Sequence, residues 1–280
     1  MSKTIKSLVS NFSRKIALKI RHLTSADSVN PTYSNLNEQS VINRYINTLN
    51  LESKCCVDIG ASDGLSMSNT YPLYKDGWSG LAVEFDAKKF SALASSYINF
   101  PNVNLAKCMV TPENIISLLS ANGIPETFEF LSLDIDGYDY FVLDEILAKY
   151  RPKLICTEIN EKIPPPIKFT VKWNPKYSWA EDHFFGQSIS QLHILATKYK
   201  YALVELHYNN AFLIPLECHP KASLTPEEAY QAGYLGKPDR KIKFPWNENM
   251  EDVLHMKPDD ALIFVNNFFG KYKGMFDASI

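Results

Sequence analysis

The chain has 280 residues, 45% of them hydrophobic and 21% charged, and its formal net charge is -2. This length and composition are typical of one sizeable globular domain with extensions, and they exclude a largely disordered chain. The near-neutral charge also argues against binding to nucleic acid, because contacts with the phosphate backbone need a strongly basic surface. We therefore expect no nucleic-acid partner.

The first 24 residues are predicted to form a basic amphipathic helix. Apolar residues recur there at helical spacing among lysines and arginines, and no acidic residue precedes Asp27. Three uses stay open: docking on the domain or on a protein partner, peripheral contact with an anionic membrane, and targeting. Residues 25–34 are polar and contain Pro31, which is typical of a linker. No apolar run suits a signal peptide or a membrane span, so we expect a cytoplasmic protein that could associate with membranes.

Residues 35–217 are predicted to form an α/β domain. Residues 35–50 have helical spacing, and short apolar runs then alternate with helical stretches, which indicates a parallel sheet with right-handed crossovers. Two later apolar runs, joined by Asn209-Asn210, predict a closing antiparallel hairpin. The expected strands are 55–59, 80–85, 103–107, 128–133, 154–158, 201–208 and 211–216, and the expected helices are 87–97, 112–121 and 138–149.

The run VDIGASDG, residues 57–64, predicts the loop of a nucleoside-cofactor site. It continues a short run of strand type, and its two glycines let the backbone approach a ligand closely. A second apolar run ends at Glu84. In a doubly wound sheet, a carboxylate at that place accepts hydrogen bonds from the ribose hydroxyls.

The spacing of this loop separates two classes of cofactor. The GxGxxG pattern that holds a pyrophosphate at a helix N-terminus is absent. Carboxylates stand instead at Asp58 and Asp63, where they would repel a diphosphate but tolerate an amino group or a sulfonium. The loop therefore favours S-adenosylmethionine over NAD(P).

Four segments share the pattern of one known family: VDIGASDG, LAVEFD, FLSLDIDGYDYFVLDEI and PKLICTEIN. Through them the chain resembles the class I S-adenosylmethionine-dependent methyltransferases, in particular the FkbM-like family, over roughly residues 50–215. The resemblance implies a Rossmann-like seven-stranded methyltransferase sheet, mostly parallel, with a C-terminal antiparallel hairpin. The cofactor residues expected from it are Gly60, Ala61 and Gly64 for the shape of the loop, Asp58 or Asp63 for the amino-acid end, Glu84 for the ribose and Asp134 beside the sulfonium.

Hard oxygen donors follow two further predicted strands. Asp134, Asp136 and Asp139 stand after one strand, and Glu158 and Asn160 stand at the end of the next. The carboxyl ends of parallel strands share one edge of the sheet, so these side chains should converge. Carboxylates this close repel one another unless a proton, a basic group or a cation offsets their charge.

A Mg²⁺ ion would meet that need, because it prefers oxygen ligands. The predicted ligands are Asp136 and Glu158, with Asn160 as a third. Some sugar-modifying and catechol-type methyltransferases, which the arrangement resembles, hold a divalent ion at these two strand ends. FkbM-type chains more often carry DVEGAE where this chain has DIDGYD, residues 134–139. A different role also stays open, in which Asp136 or Asp139 caps the helix that begins near Tyr138.

Methyl transfer to an alcohol needs a group that takes the hydroxyl proton. Asp139 and His183 are the two candidate bases, although His183 could instead be a structural loop residue.

Ser188 and Gln191 are expected to form a capping box at the helix that follows His183. The segment 161–186 is rich in proline and aromatic residues and is predicted to be a substrate loop. Aromatic faces beside polar groups suit a sugar ring, although such residues also form small satellite cores.

We therefore expect an S-adenosylmethionine-dependent enzyme that methylates an oxygen of a saccharide or of a saccharide-bearing metabolite. Two alternatives remain: a noncatalytic cofactor-binding partner protein, and a nucleotide-dependent oxidoreductase or epimerase, which the missing GxGxxG disfavours.

The five cysteines show no CxxC pair and are expected to be reduced and mostly buried. Residues 218–280 form a C-terminal extension with a short helix at 226–232. The acceptor and the oligomeric state stay open.

Overall fold

The computed structural model describes residues 33–177, 179–219 and 221–280. The predicted amphipathic helix at 1–24, and the predicted linker apart from its last two residues, lie outside the described residues. Within the described ranges, no helix is both long enough and apolar enough to cross a membrane.

The centre of the molecule is a seven-stranded sheet in the order β3-β2-β1-β4-β5-β8-β7. The strands, with two more in a small separate sheet, are β1 (Cys55–Ile59), β2 (Ser79–Glu84), β3 (Val103–Lys107), β4 (Thr127–Leu133), β5 (Arg151–Glu158), β6 (Lys168–Val171), β7 (Tyr201–His207), β8 (Asn210–Pro215) and β9 (Phe276–Ser279). The first five pair in parallel, whereas β7 and β8 form an antiparallel hairpin that joins the sheet through β5. The predicted mostly parallel sheet with a C-terminal hairpin is confirmed.

Helices cover both faces of this sheet. They are α1 (Glu38–Ile46), α2 (Tyr71–Lys75), α3 (Ala87–Ser96), α4 (Ile115–Ala121), α5 (Asp139–Lys149), α6 (Ile189–Lys198), α7 (Pro226–Tyr230), α8 (Arg240–Lys243) and α9 (Pro258–Phe268). The Asp86 carboxylate accepts from two backbone N–H groups at the start of α3, and Ser188 accepts from the Gln191 N–H at the start of α6. Such caps satisfy the first amides of a helix, which have no intrahelical partner.

The core divides between the two faces of the sheet because successive strand residues point to opposite sides. Val57 and Leu131 belong to the cluster on one face, and their neighbours Cys56 and Phe130 belong to the cluster on the other. Burial on both faces explains why β1 is buried at every position and is apolar at every position except Asp58. The carboxyl ends of β1, β2, β4 and β5 consequently share one edge.

The hairpin turn lies one residue earlier than predicted. It is formed by Tyr208 and Asn209, and Tyr208 adopts the positive φ of 58° that the sequence suggested for an asparagine. Asn210 instead belongs to β8, where it pairs with Glu158 and donates a side-chain hydrogen bond to Glu38. These two contacts fix Asn210 in the strand and move the turn.

The predicted substrate loop and the C-terminal extension share a second sheet. Strand β6 lies inside the segment 161–186 and pairs antiparallel with β9, through pairs such as Phe169 with Ala278. Phe184 is buried and stacks on Tyr272 with 3.9 Å between ring centroids. Part of the segment therefore forms a satellite core with the extension.

Candidate active site

The glycine loop after β1 passes directly beside the chain after β4. The N–H groups of Gly60 and Ala61 both donate to the Val83 carbonyl, at 3.1 and 2.9 Å. Gly60 has a φ of +91°, and a Cβ atom there would lie 1.8 Å from the Asp134 carbonyl oxygen. Only glycine fits, because any side chain would collide with the backbone of the neighbouring strand end.

The rest of the loop is held by its own backbone and by Asp63. The Gly64 N–H donates to the Ala61 carbonyl at 2.9 Å, which closes the turn. One oxygen of Asp63 accepts from the N–H groups of Leu65 and Ser66. Asp63 therefore stabilises the turn that follows the loop, which is a structural role beside the cofactor role predicted for it.

Asp58 is a buried carboxyl at the end of β1, with 5% of its surface exposed. The Thr70 hydroxyl donates to it. Burial raises the pKa of Asp58 to about 6; the Thr70 hydrogen bond partly opposes this shift, and the nearby Glu84 charge adds to it. A group with this pKa changes charge within the physiological range.

Glu84 joins the glycine loop to the end of β2. One of its oxygens accepts from the Ser62 N–H at 2.9 Å, and the other accepts from the Asp86 N–H at 2.7 Å. The side chain is buried, at 4% exposure. Each carboxylate oxygen can accept more than one hydrogen bond, so these contacts orient Glu84 without exhausting its acceptor capacity.

A cavity of about 390 Å³ opens at this edge of the sheet, a volume typical of small-molecule sites. Phe85 and Met109 contribute large apolar side chains that are 65% and 41% exposed. The complete lining comprises Gly60, Val83, Phe85, Lys89, Cys108, Met109, Val110, Ile135, Asp136, Tyr138, Pro175, Lys176, Tyr177, Trp179 and Glu181. The residues after β2, β3 and β4 and the predicted substrate loop thus surround one space.

Three carboxylates converge beside this cavity, and we call Asp134, Asp136 and Glu158 the acid triad. Each offers an oxygen, and the three oxygens lie within 4.8 Å of one another. The structure thus brings together two predicted metal ligands, Asp136 and Glu158, with Asp134, which was predicted for the cofactor. Sequence reasoning had placed Asp134 at the same sheet edge but had not included it among the ligands.

Mutual repulsion and lost hydration perturb the acid triad. Asp134 is accessible to solvent, yet the protein around it displaces enough water to raise its pKa well above the usual range, and Asp136 raises it further. Loss of hydration likewise raises the pKa of Glu158, and the Asp134 charge adds to this effect. Asn209 donates to Glu158 at 2.7 Å and holds it at the hairpin turn. A proton or a divalent cation would relieve this repulsion.

Asn160, the third predicted ligand, anchors the substrate loop. It is completely buried, and its side-chain nitrogen donates to the carbonyls of His183 and Phe185, at 2.9 and 3.0 Å. Its side-chain oxygen has no hydrogen-bond partner among the described residues. A buried acceptor without a donor is unusual in a folded protein.

Asp139 lies beneath the loop that carries Asp136. Its two oxygens accept from the N–H groups of Ile135 and Gly137, each at 3.0 Å. Burial raises its pKa, and those two backbone hydrogen bonds partly oppose the shift. Because Asp136 has a positive φ of 53°, Asp139 helps to hold a backbone conformation that most residues avoid.

His183 faces the C-terminal extension. Its ring lies 5.7 Å from the Phe268 ring. Burial lowers the pKa of His183 to about 4, and the Lys162 charge lowers it further. His183 is not among the residues that line the cavity. The structure thus places Asp139 next to the acid triad and leaves His183 outside the cavity wall.

Tyr177 is a site residue that sequence reasoning did not single out. Its hydroxyl lies within hydrogen-bond distance of the carbonyls of Asp136 and Phe184, at 3.2 and 2.9 Å, and the residue also lines the cavity. The sequence feature that could have indicated Tyr177 is its position in a segment rich in aromatic residues.

All five cysteines are free, as expected; three are buried, Cys108 is half-buried in the cavity wall and Cys218 is exposed.

Comparison with known proteins finds similarity to solved structures. No family model matches the sequence, and no curated protein matches it. A solved S-adenosylmethionine-dependent methyltransferase from Aquifex aeolicus matches 64% of this chain and 88% of its own at 9% identity, with a TM-score of 0.37. Precorrin-6y C5,15-methyltransferase from Geobacter metallireducens matches 67% and 93% at 16% identity, with a TM-score of 0.37.

An O-methyltransferase family protein from Burkholderia thailandensis is also similar. It matches 67% of this chain and 57% of its own at 10% identity, with a TM-score of 0.40. At these identities and scores the likeness supports no conclusion about function. Activity is therefore inferred from the residues of the site.

Proposed function

We propose that this chain is an S-adenosylmethionine-dependent methyltransferase. The observation that carries the proposal is the Gly60 loop, which passes against the Asp134 carbonyl while Glu84 reaches back to the loop from the next strand. This arrangement leaves a carboxylate at the place where a doubly wound sheet binds ribose. The apolar side chains of Phe85, Met109 and Val110 stand beside it in the cavity wall and suit the flat faces of adenine.

The charges around the loop favour a cationic nucleoside. Asp58 and Glu84 are buried carboxyls close enough for Glu84 to raise the pKa of Asp58. A diphosphate placed there would add negative charge to that pair, whereas the amino group of S-adenosylmethionine would offset it. The same reasoning disfavours an NAD(P)-dependent oxidoreductase.

For the acceptor, we propose an oxygen of a saccharide or of a saccharide-bearing metabolite. The cavity wall combines the rings of Tyr177 and Trp179 with the carboxylates of Asp136 and Glu181. Rings bind the apolar faces of a sugar, and carboxylates accept hydrogen bonds from its hydroxyls. This pattern supports a hydroxyl acceptor held near the acid triad.

We further propose that the acid triad holds a divalent cation of the Mg²⁺ type. Three carboxylate oxygens within 4.8 Å are the donor set that such an ion prefers. The side-chain oxygen of Asn160, which has no hydrogen-bond partner among the described residues, is a further candidate oxygen ligand two residues after Glu158. A bound ion would lower the pKa of the acceptor hydroxyl.

The protein groups around the triad would act on the acceptor by position and charge. Asp139 fixes the loop that presents Asp136, and Asn209 fixes Glu158. A triad carboxylate that is not protonated could then accept the hydroxyl proton, while S-adenosylmethionine would supply the methyl group and leave as S-adenosylhomocysteine. We assign Asp139 mainly to positioning, because its two backbone hydrogen bonds hold the loop that presents Asp136.

The cofactor proposal is tested by calorimetric titration with S-adenosylmethionine and, separately, with NAD⁺. We expect S-adenosylmethionine to bind and Glu84→Gln to weaken it by about tenfold or more, because one acceptor oxygen for ribose is replaced by a donor. Glutamine is preferable to alanine here, since it keeps an acceptor for one of the Ser62 and Asp86 N–H groups, whereas alanine would leave both without their partner. Binding of NAD⁺ in place of S-adenosylmethionine would overturn the proposal.

A second prediction concerns pH. Asp58 has a pKa of about 6 in the free protein, and the amino group of the cofactor favours its ionised form. Cofactor affinity should therefore rise by about tenfold between pH 5 and pH 7 and then level off. Asp58→Asn should remove most of this dependence, which titrations across the range would show. A wild-type affinity that is constant across this range would exclude Asp58 from the amino-acid subsite.

The same raised pKa has a matching effect on stability. The folded-state pKa of Asp58 lies above its ordinary value of 3.8, so the folded protein binds this proton more tightly than the unfolded chain. The stabilising contribution is therefore complete below about pH 4 and is lost as the pH rises towards 6. Asp58→Asn should flatten that part of the stability profile, as measured by urea denaturation.

A further inference from the structure

A short turn of the predicted substrate loop forms part of the wall of the cavity described above. We call residues 173–177 the aromatic turn; Pro175, Lys176 and Tyr177 belong to the cavity lining. The Tyr177 N–H donates to the Asn174 carbonyl, and the Lys176 N–H donates to the Asn174 side chain, both at 2.9 Å. These internal hydrogen bonds hold the aromatic turn in one compact conformation.

One end of the aromatic turn is attached to the main domain by Trp173. Its indole N–H donates to the Glu113 carboxylate at 2.6 Å, just before α4. Its ring also packs edge-on against Tyr138, at 4.3 Å between centroids. Glu113 is exposed, so the hydrogen bond is accessible to water and can break without exposing a buried charge.

The other end is attached by Tyr177 to the loop of the acid triad. The Tyr177 hydroxyl contacts the Asp136 carbonyl, and a Cβ atom on Gly137 would lie 3.0 Å from the Tyr177 ring. The ring therefore lies directly on the backbone that presents Asp136. A displacement of the aromatic turn would remove this support from one member of the triad.

We propose that the aromatic turn closes over bound S-adenosylmethionine, that the Glu113–Trp173 hydrogen bond is its latch, and that it lifts when the cofactor exchanges. The inference rests on the proposed function, since it takes the cavity to be the cofactor site. Because Tyr177 contacts both the cavity and the Asp136 loop, lifting of the aromatic turn would also withdraw its support from the acid triad.

The latch is tested by the rates of cofactor exchange in the full-length protein, which need no knowledge of the acceptor. Glu113→Gln weakens the acceptor of the latch, and Trp173→Phe removes its donor while keeping a ring against Tyr138. If closure limits exchange, both variants should raise the association rate and the dissociation rate of labelled S-adenosylmethionine by about threefold or more. The Kd should change by less than about twofold, since both rates move together.

Matched controls are Glu248→Gln and Trp246→Phe, two exposed residues of the C-terminal extension that do not line the cavity. Both should exchange cofactor at the wild-type rates, and melting temperatures would verify that every variant is folded. A faster dissociation with an unchanged association rate would show that the aromatic turn is a fixed wall, and unchanged rates would show that there is no latch. Either result overturns the closure while the methyltransferase proposal stands. If the wild-type protein binds no S-adenosylmethionine, both proposals fail.

Discussion

Replacing Gly60 with alanine should nearly abolish cofactor binding and lower the free energy of unfolding by about 3–4 kcal/mol. The new Cβ atom would lie 1.8 Å from the Asp134 carbonyl oxygen, on a residue whose φ is +91°. The glycine loop must then move away from the end of β4, and the cavity that both segments border must change shape. Urea denaturation measures the stability, and calorimetric titration at low temperature measures the binding of S-adenosylmethionine to the folded variant.

Gly80 offers a matched control for this substitution. Its φ is +147°, and a Cβ atom there would lie 1.7 Å from the Cys56 carbonyl oxygen. The clash is as severe as at Gly60, but it occurs near the amino ends of β1 and β2, whereas the cavity lies at their carboxyl ends. Gly80→Ala should therefore lose similar stability while the molecules that remain folded bind cofactor normally. Equal loss of affinity in both variants would mean that the Gly60 loop has no special role in the site.

Glu158→Gln should make the protein more stable at pH 8, with a Tm higher by about 2–4 °C. The pKa values of Asp134 and Glu158 are raised in the folded state, so their contribution to stability is present at low pH and is lost as the pH rises through those values. Glutamine removes one negative charge from the acid triad and keeps an oxygen that can accept from Asn209. The gain should shrink as the pH is lowered, because bound protons then offset the repulsion.

The same variant distinguishes a metal site from a simple cluster of acids. Added Mg²⁺ should raise the Tm of the wild-type protein, because an ion that binds only the folded state stabilises it. Glu158→Gln should lose this response, whereas Glu248→Gln, an exposed residue of the extension, should keep it. Equal responses to Mg²⁺ in the wild-type protein and Glu158→Gln would exclude the triad as the binding site. Mn²⁺ in place of Mg²⁺ would allow the same comparison by magnetic resonance.

The central sheet was predictable because each of its strands has a recognisable apolar pattern within its own stretch of sequence. The first strand was expected at 55–59 and is observed at Cys55–Ile59, since a strand buried on both faces is mostly apolar, here at every position except Asp58. The fifth was expected from 154 but begins at Arg151. Its first residues carry no apolar signal, and Arg151 is drawn into the strand by pairing with Thr127 on β4. Pairing partners of this kind are not visible in a local pattern.

The site was predictable in its location but not in its contacts. The order of the strands places Asp134, Asp136 and Glu158 at one edge, and this much follows from their positions at strand ends. Which side chains meet depends on the left-handed conformation of Asp136 and on the Asn209 contact to Glu158, and neither is encoded in spacing. Asn160 illustrates the difference, because its side-chain nitrogen is used by two carbonyls of the substrate loop.

Strand β9 was not predicted, because the sequence FDAS has little apolar character and only its pairing with β6 defines it. That pairing joins the substrate loop to a segment synthesised much later. During translation, Lys168–Val171 can pair with Gln187 as soon as that residue is synthesised, but its other edge stays open until Phe276–Ser279 has left the ribosome. The contact between the loop and the C-terminal extension is accordingly among the last features of the molecule to form, well after the parallel strands have been synthesised.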